Sequence, residues 1–480
     1  MKKALWLALA AFAVTGTTAM AQDAKTVLQN ASKAMGDVNS IQYSGSGHFG
    51  TLGQAFSPTA NWPSSDMKTY TRTIDYSSQS SKEELTRTEK TPYDRGGGAP
   101  INGEQKQVNL VSGQYSWNQP GNAPQPQVAA ADERQLQIWL TPHGFLKAAM
   151  QNNATAKKGK GGTVVSFTAM GKYKVEGTID NQNMVTRTAT WMANPVLGDM
   201  LIETTYSGYR DFNGVKFPTM IVQNQGGHQV LDLAVNDVKP NASLELSVPD
   251  PVKQAKLPPV KVEAQKLGDG VWWLGGGTHH SVVVEYPTFV TVIEAPLNEE
   301  RSLAVIEETK KLVPNKPIKY LVNTHQHFDH SGGIRTFVAE GATIITNAMN
   351  KPFYEQTFKM PRTLAPDKLA QSPKKANFIT VKDKYELAEG DRKIEIYHIE
   401  GNAHNEGILM VYVPKEKVLV EADLFTPAPP NAPPPPPRVL DFGNQLYSNV
   451  ERLKLDVTTI APLHGTVVPY TQFPKFIGKG

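Results

Sequence analysis

No cysteine occurs anywhere in the 480 residues, which excludes a disulfide framework, a thiol nucleophile and thiolate metal ligands. A lipid-modified cysteine is excluded on the same ground. An excess of either charge is also missing: 49 Lys and Arg stand against 45 Asp and Glu, for a net charge of +4. Two of those lysines, Lys2 and Lys3, fall in a segment expected to be removed. So even a balance gives no electrostatic footprint for nucleic acid or an acidic membrane, and no nucleic-acid partner is expected. Long apolar runs are absent too. The run over residues 4–14 is about half of the roughly 20 residues a spanning helix needs, and no later stretch is longer and as apolar, so no membrane span is expected. That run follows Lys2 and Lys3 and precedes small residues ending Ala19-Met20-Ala21. The order charged, apolar, A-x-A is that of a secretory signal peptide over residues 1–21, cleaved before Gln22. The expected location is the periplasm or the exterior, as a soluble mature protein. The composition carries no signal for an oligomeric state.

A chain of this length is expected to form two domains. Hydrophobic residues at 39% and charged residues at 20% suffice for conventional cores. Residues 22–250 read as a mostly antiparallel β domain with a few helices. Helical spacing over 24–35 is followed by alternating runs at 41–49, 68–76, 105–111 and 114–117. A helix is predicted from Asp132, as N-cap, through Trp139 to Met150, interrupted near Pro142. Strand-like runs return at 163–168, 173–179, 185–192 and 201–206, and Asn213-Gly214 marks a hairpin. This order resembles the open half-barrel of periplasmic lipoprotein carriers. A proline-rich connector over 251–264 leads into a second domain, 265–480, in which strands and helices alternate as in an α/β fold. Strands are predicted at 271–274, 281–286, 289–294 and 318–323, with an amphipathic helix at 299–312.

The chemistry is concentrated where the strand at 318–323 runs into Thr324-His325-Gln326-His327-Phe328-Asp329-His330-Ser331-Gly332-Gly333. His325 and His327, two residues apart on an extended strand end, project to one side. Asp329 and His330 follow where the chain turns, and so face a second point. Imidazole and carboxylate together are donors that a borderline cation such as zinc accepts.

This stretch resembles the signature of the metallo-β-lactamase superfamily, whose fold is a four-layer αββα sandwich. The resemblance implies three later ligands in order, and His404, Asp423 and His464 stand in the expected places. Spacing independently pairs two of them. His404 precedes the apolar strand at 408–413 and Asp423 ends the returning strand at 418–421, so both lie at the open end of one hairpin. Carried over residue by residue, the resemblance implies one metal held by His325, His327 and His404, and a second by Asp329, His330 and His464. Asp423 would bridge the two. The cofactor so implied is a pair of zinc ions, with manganese or iron satisfying the same ligand types. A water shared by two dications loses its proton near neutral pH, and Asp329 is then the catalytic residue that orients it and accepts that proton.

Weaker signals remain. His279 and His280 follow three glycines in a loop that often overhangs the metals in this fold, and both are candidates for substrate contact. His398, on an alternating strand, reads as structural. The proline run at 427–437 reads either as a stiff rim beside the metals or as a connector to a helix at 444–453. No cysteine ligand is present, Leu424 and Phe425 replace the tyrosine common in lactonases, and only a short tail follows His464. The expectation is a metal-dependent hydrolase acting on a small-molecule substrate at a carbonyl-centred bond: ester, lactone, thioester or β-lactam. Phosphodiester hydrolysis is the enzymatic alternative, and an envelope lipid-binding or carrier protein with a vestigial metal site the alternative of another class.

Overall fold

The computed structural model describes residues 15–98, 100–429, 432 and 434–479, with side chains from residue 24. Most of the expected leader therefore lies outside the described residues; its last part falls within the first helix, Thr15–Met35. Among the described residues no helix is long and apolar enough to cross a membrane.

The N-terminal part is a 13-stranded antiparallel sheet. Two meanders meet where the first strand, Ser40–Gly50, pairs with the last, His228–Pro240, in a register running from Ile41 opposite Pro240 to Phe49 opposite Leu231. Period-two burial along Gly162–Ala169 and Tyr173–Ile179 turns Val165, Phe167, Val175 and Ile179 inward. There they meet the helices Thr15–Met35, Ala131–Trp139 and Pro142–Gln151 through Leu28, Met35, Leu136 and Phe145. The break at Pro142 falls where predicted, because proline is tolerated in a first helical turn and not in an interior. Asp132 is not the N-cap: Ala130 occupies that place without a side-chain bond. Asp132 instead accepts hydrogen bonds from Lys172 (2.5 Å) and Tyr173 (2.8 Å). The strands Ser80–Thr88 and Thr155–Gly159 carry polar sequences that show no apolar alternation. The first is held on both sides by backbone ladders and the second on one. In the proline-rich connector a short helix, Asp250–Gln254, buries Val252 against Leu110 and Trp117.

The C-terminal part begins with Glu263–Gly268, the edge of a seven-stranded sheet whose strands lie in chain order. The first four are antiparallel; Val290–Ile293, Ile318–Val322, Thr343–Asn347 and Phe378–Val381 are parallel. A six-stranded sheet faces it. Val282, Val284, Ile293 and Val322 of one sheet interlock with Ile394, Ile396, Val411 and Ile460 of the other. The helices Glu299–Leu312 and Ile334–Glu340 cover the outer face of the first sheet through Val305, Ile306 and Phe337. Pro437–Leu453 covers the second through Phe442, Leu446 and Val450. The result is the αββα sandwich. The helix expected at 444–453 starts earlier, with Pro437 in its first turn. Pro430, Asn431 and Pro433 of the proline run lie outside the described residues.

The two parts are latched by Arg362. Its guanidinium donates to the carbonyls of Asn194 (3.1 Å), Pro195 (3.0 Å) and Val196 (2.8 Å). Asp199 returns the contact by accepting from the amides of Thr363 and Leu364.

Candidate metal centre

The strand Ile318–Val322 ends at the rim of the sandwich, and the chain stays buried through Asn323, Thr324, His325, Gln326 and His327. His327 then caps the one-turn helix Phe328–Ser331. The turn can pack tightly only because glycines follow it. A Cβ at Gly332 would lie 1.9 Å from the Leu297 carbonyl, and one at Gly333 would lie 1.8 Å from Ser302 Oγ. His404 lies in the turn before Leu409–Val413. Asp423 follows Val418–Glu421 with a left-handed φ of 64°, a conformation aspartate tolerates better than most residues. His404 Nε2 and Asp423 Oδ2 are 3.3 Å apart, as the hairpin spacing requires. His464 follows Thr459–Pro462, the parallel neighbour of the Asp423 strand.

All seven residues converge. His325, His327, His404 and Asp423 form one group of donors that could hold a cation, and His279, Asp329, His330 and His464 form a second. Asp423 lies between them: its Oδ2 is 3.2 Å from His325 Nε2 and 2.9 Å from His330 Nε2, and its Oδ1 is 2.9 Å from His464 Nε2. The fit to a cation can be tested on the unpartnered atoms. His325 Nε2, His327 Nδ1, both ring nitrogens of His404 and Asp423 Oδ2 are buried with no hydrogen-bond partner among the described residues. Buried polar atoms seldom go unpaired, so these four side chains, each turning one such atom to a common point, suit a ligand that accepts lone pairs.

The opposite ring nitrogens are engaged in ways that set the tautomers. Glu294, fully buried, accepts from His330 Nδ1 at 3.1 Å. It also accepts from the Thr324 hydroxyl, which in turn faces His325 Nδ1 at 3.0 Å. His464 Nδ1 faces the Thr278 carbonyl at 3.1 Å and His327 Nε2 the Ala55 carbonyl at 2.9 Å. At His325 and His327 this leaves the inward nitrogen unpartnered, with the outer hydrogen bond usual for a ligating histidine, while His330 Nε2 and His464 Nε2 face each other at 3.0 Å.

Burial, then the neighbouring His330, lowers the His325 imidazole to about 4, so its lone pair is free at neutral pH. Burial opposes ionisation of Asp423 and Asp329, but the surrounding imidazoles outweigh it and hold both below the ordinary carboxylate range. His330 answers them: burial works against its charge, yet Asp423 and Asp329 hold it well above the ordinary value. Glu421 differs. Burial and then the nearby Asp423 push it up to about 8, which favours its neutral form. Its Oε2 accepts from the amides of Leu424 (3.3 Å) and Phe425 (3.2 Å), securing the turn after Asp423.

Of the loop histidines, His279 reaches the cluster, with Nε2 3.1 Å from Asp329 Oδ2 and its ring 4.2 Å from that of His464. His280 does not: its ring packs on Trp273 at 4.3 Å, and burial lowers it to about 4. His398 lies apart, its Nε2 donating to the Glu406 carbonyl. Pro427 sits beside Gly465, so the start of the proline run borders the turn that follows His464. Gln54, Ala55, Gly97 and Glu294 lie outside the site residues expected from the sequence. For Glu294, an acid ending an apolar strand of four buried residues was a signal available in the sequence; for Gln54, Ala55 and Gly97 there was none.

A family model described as the metallo-beta-lactamase superfamily matches residues 274–464. No curated protein matches the chain. Similar solved structures include a metallo-beta-lactamase from Pontibacter korlensis, 18% identical, covering 46% of this chain and 98% of that one at a TM-score of 0.35. Another is the FIM-1 metallo-beta-lactamase from Pseudomonas aeruginosa in its mono-zinc form, 17% identical, covering 46% and 96% at 0.36. Rubredoxin oxygen:oxidoreductase from Desulfovibrio gigas is 18% identical, covering 45% of this chain and 60% of its own length at 0.35. With the matched segment spanning every clustered residue from His279 to His464, the C-terminal part of this protein belongs to the metallo-β-lactamase superfamily.

Proposed function

We propose that the protein is an exported hydrolase that uses two divalent cations, zinc by preference, on a carbonyl-centred bond of a small molecule. The observation that carries this is the convergence of His325, His327, His404 and Asp423, whose buried donor atoms lack partners, beside a second donor group of His279, Asp329, His330 and His464. His325 Nε2, His327 Nδ1, His404 and Asp423 Oδ2 would hold one ion. His330 Nε2, His464 Nε2, Asp329 and Asp423 Oδ1 would hold the other, with His279 at its edge. Such a pair supplies Lewis acidity and brings the ionisation of water near neutrality. The chain's own residues do the rest. Asp329 Oδ2 faces His279 Nε2 and is the atom placed to take a proton from attacking water. The site opens on that side: the side chains of Asp329, His464 and His279 are 30%, 19% and 13% exposed, whereas His325 and His330 are 0% exposed. Substrate therefore approaches over Asp329 and His464, and the buried histidines form the floor.

Glutamate in place of His327 would suit a redox iron pair, and the histidine there supports hydrolysis. Export rests on the order of residues 1–21 and is tested by sequencing the mature N-terminus, expected at Gln22. Metal analysis of purified protein should give two ions per chain, and a panel of lactones, thioesters, β-lactams and phosphodiesters should show turnover at a carbonyl centre. Asp423→Asn should lower both metal content and turnover, the latter by at least about 100-fold. Full activity in a metal-free preparation would refute the proposal, and turnover confined to phosphodiesters would replace its substrate class.

A further inference from the structure

We propose that the N-terminal sheet is a working part of the metal centre, in which Gln54 and Gly97 are positioning residues for Asp329 and His327. The inference rests on the metal-site reading above and adds to it the claim that the centre is completed by a part of the chain outside the matched family segment.

The connection between the strands Ser40–Gly50 and Ser64–Asp75 crosses to the C-terminal sandwich. The Ala55 carbonyl meets three donors there: His327 Nε2 at 2.9 Å, Gln326 Nε2 at 3.1 Å and Asn405 Nδ2 at 3.3 Å. A carbonyl only accepts, so His327 must carry its proton on Nε2, and Nδ1 is left bare. Asn405 Nδ2, 3.3 Å from the same Nε2, is then served by Gln326 Oε1 at 2.9 Å and not by the ring. The tautomer of this one histidine is thus set by backbone 272 residues away in the chain. His325, His330 and His464 take their outer partners from Thr324, Glu294 and Thr278, all within the sandwich.

Beside Ala55, Gln54 Nε2 donates to Asp329 Oδ1 at 2.8 Å. That bond occupies one carboxylate oxygen and leaves Oδ2 for His279 and the cluster. Gly97 lies against both. A Cβ there would fall 2.0 Å from Gln54 Oε1, 2.5 Å from His327 Cε1 and 2.8 Å from His327 Nδ1. The glycine is required by space, since no left-handed φ is found at this position. Its segment is braced on the sandwich: Arg438 Nη2 donates to the carbonyls of Gly96 and Gly97 at 2.7 Å each, and the Gly96 amide donates to Ala403, next to His404, at 2.9 Å. A contact made only to dock two domains would not need to single out the free edge of one ligand and the spare oxygen of another.

The test uses the full chain, loaded with Zn2+ for chelator competition and with Co2+ for its visible absorption. Gln54→Leu keeps the bulk and removes the donor. It should weaken one ion by about 10–100-fold, the usual cost of losing an outer partner, and shift the Co2+ spectrum. Gly97→Ala should weaken the ion on the His327 side by a similar factor. In an Asp329→Asn background, Gln54→Leu should add no further loss, because its effect passes through Asp329. Thermal melts of the metal-free variants control for folding, and if Gly97→Ala does not fold, Gln54→Leu and its double mutant carry the test. Wild-type Zn2+ affinity and Co2+ spectrum in the folded variants would overturn this inference and leave the site reading intact. A wild-type chain that retains no metal would overturn both.

Discussion

Two buried residues show how much the surroundings of a side chain decide. His143 lies in the core of the N-terminal part, 3% exposed, with both ring nitrogens unpartnered and its ring stacked over Phe217 at 6.1 Å. Burial lowers it to about 4. Between about pH 6.5 and pH 4 the unfolded chain therefore binds a proton that the folded chain refuses. Stability from this group is complete above pH 6.5 and is lost as the pH falls, by roughly 3 kcal/mol in all. His143→Phe should flatten that acid limb in urea titrations of the metal-free protein; an unchanged slope would contradict the assignment. Glu294 is the opposite case, a buried acid with work to do. It accepts from His330, Thr324 and Asn323. Glu294→Gln puts donors where acceptors are needed, and should lower metal affinity by about 10–100-fold in chelator competition, with Asp423 untouched.

At the scale of elements, strand ends and turns carry the site while helices brace it. The helix Glu299–Leu312 starts at Asn298, whose side chain accepts from the Arg301 amide at 2.9 Å. Asn298→Ala should cost about 1 kcal/mol, measured by denaturant unfolding. In the N-terminal part, Pro142–Gln151 reaches the sheet at Gly177, where a Cβ would lie 2.3 Å from Phe145 Cζ. Gly177→Ala should destabilise by about 1–3 kcal/mol through overpacking, and an unaffected midpoint would show that Phe145 has room to move. Elements with a strong apolar period were legible in the sequence: the helix Glu299–Leu312 and the strands Tyr173–Ile179 and Val418–Glu421 fall where expected. Ser80–Thr88 was not, because its pairing on both sides does not depend on apolar side chains. Nor was the start of Pro437–Leu453, since consecutive prolines favour an extended chain until one of them can enter a first helical turn.

In the whole molecule, among the described residues, the two parts meet at the Arg362 latch and around the Gln54–Gly97 contact, where Glu89 and Tyr93 also reach Arg438 and Asp441. Arg362→Ala would strand the carbonyls of Asn194, Pro195 and Val196. It should loosen that junction by about 2 kcal/mol and separate the unfolding of the two parts in calorimetry, where an unaltered trace would refute the latch.

His464 and the full set of seven came from the resemblance to the superfamily, whereas residue chemistry and local spacing in the chain place His325 with His327, beside Asp329 and His330, and His404 with Asp423. Those relations are short in sequence, and a strand end or a hairpin converts them directly into proximity. The pairing of Ala55 with His327 and of Gln54 with Asp329, the approach of His279 rather than His280 to the cluster, and the burial of Glu421 beside Asp423 arise only on folding. Each depends on which surfaces meet across hundreds of residues and how much water they exclude, and neither residue type nor local spacing encodes that.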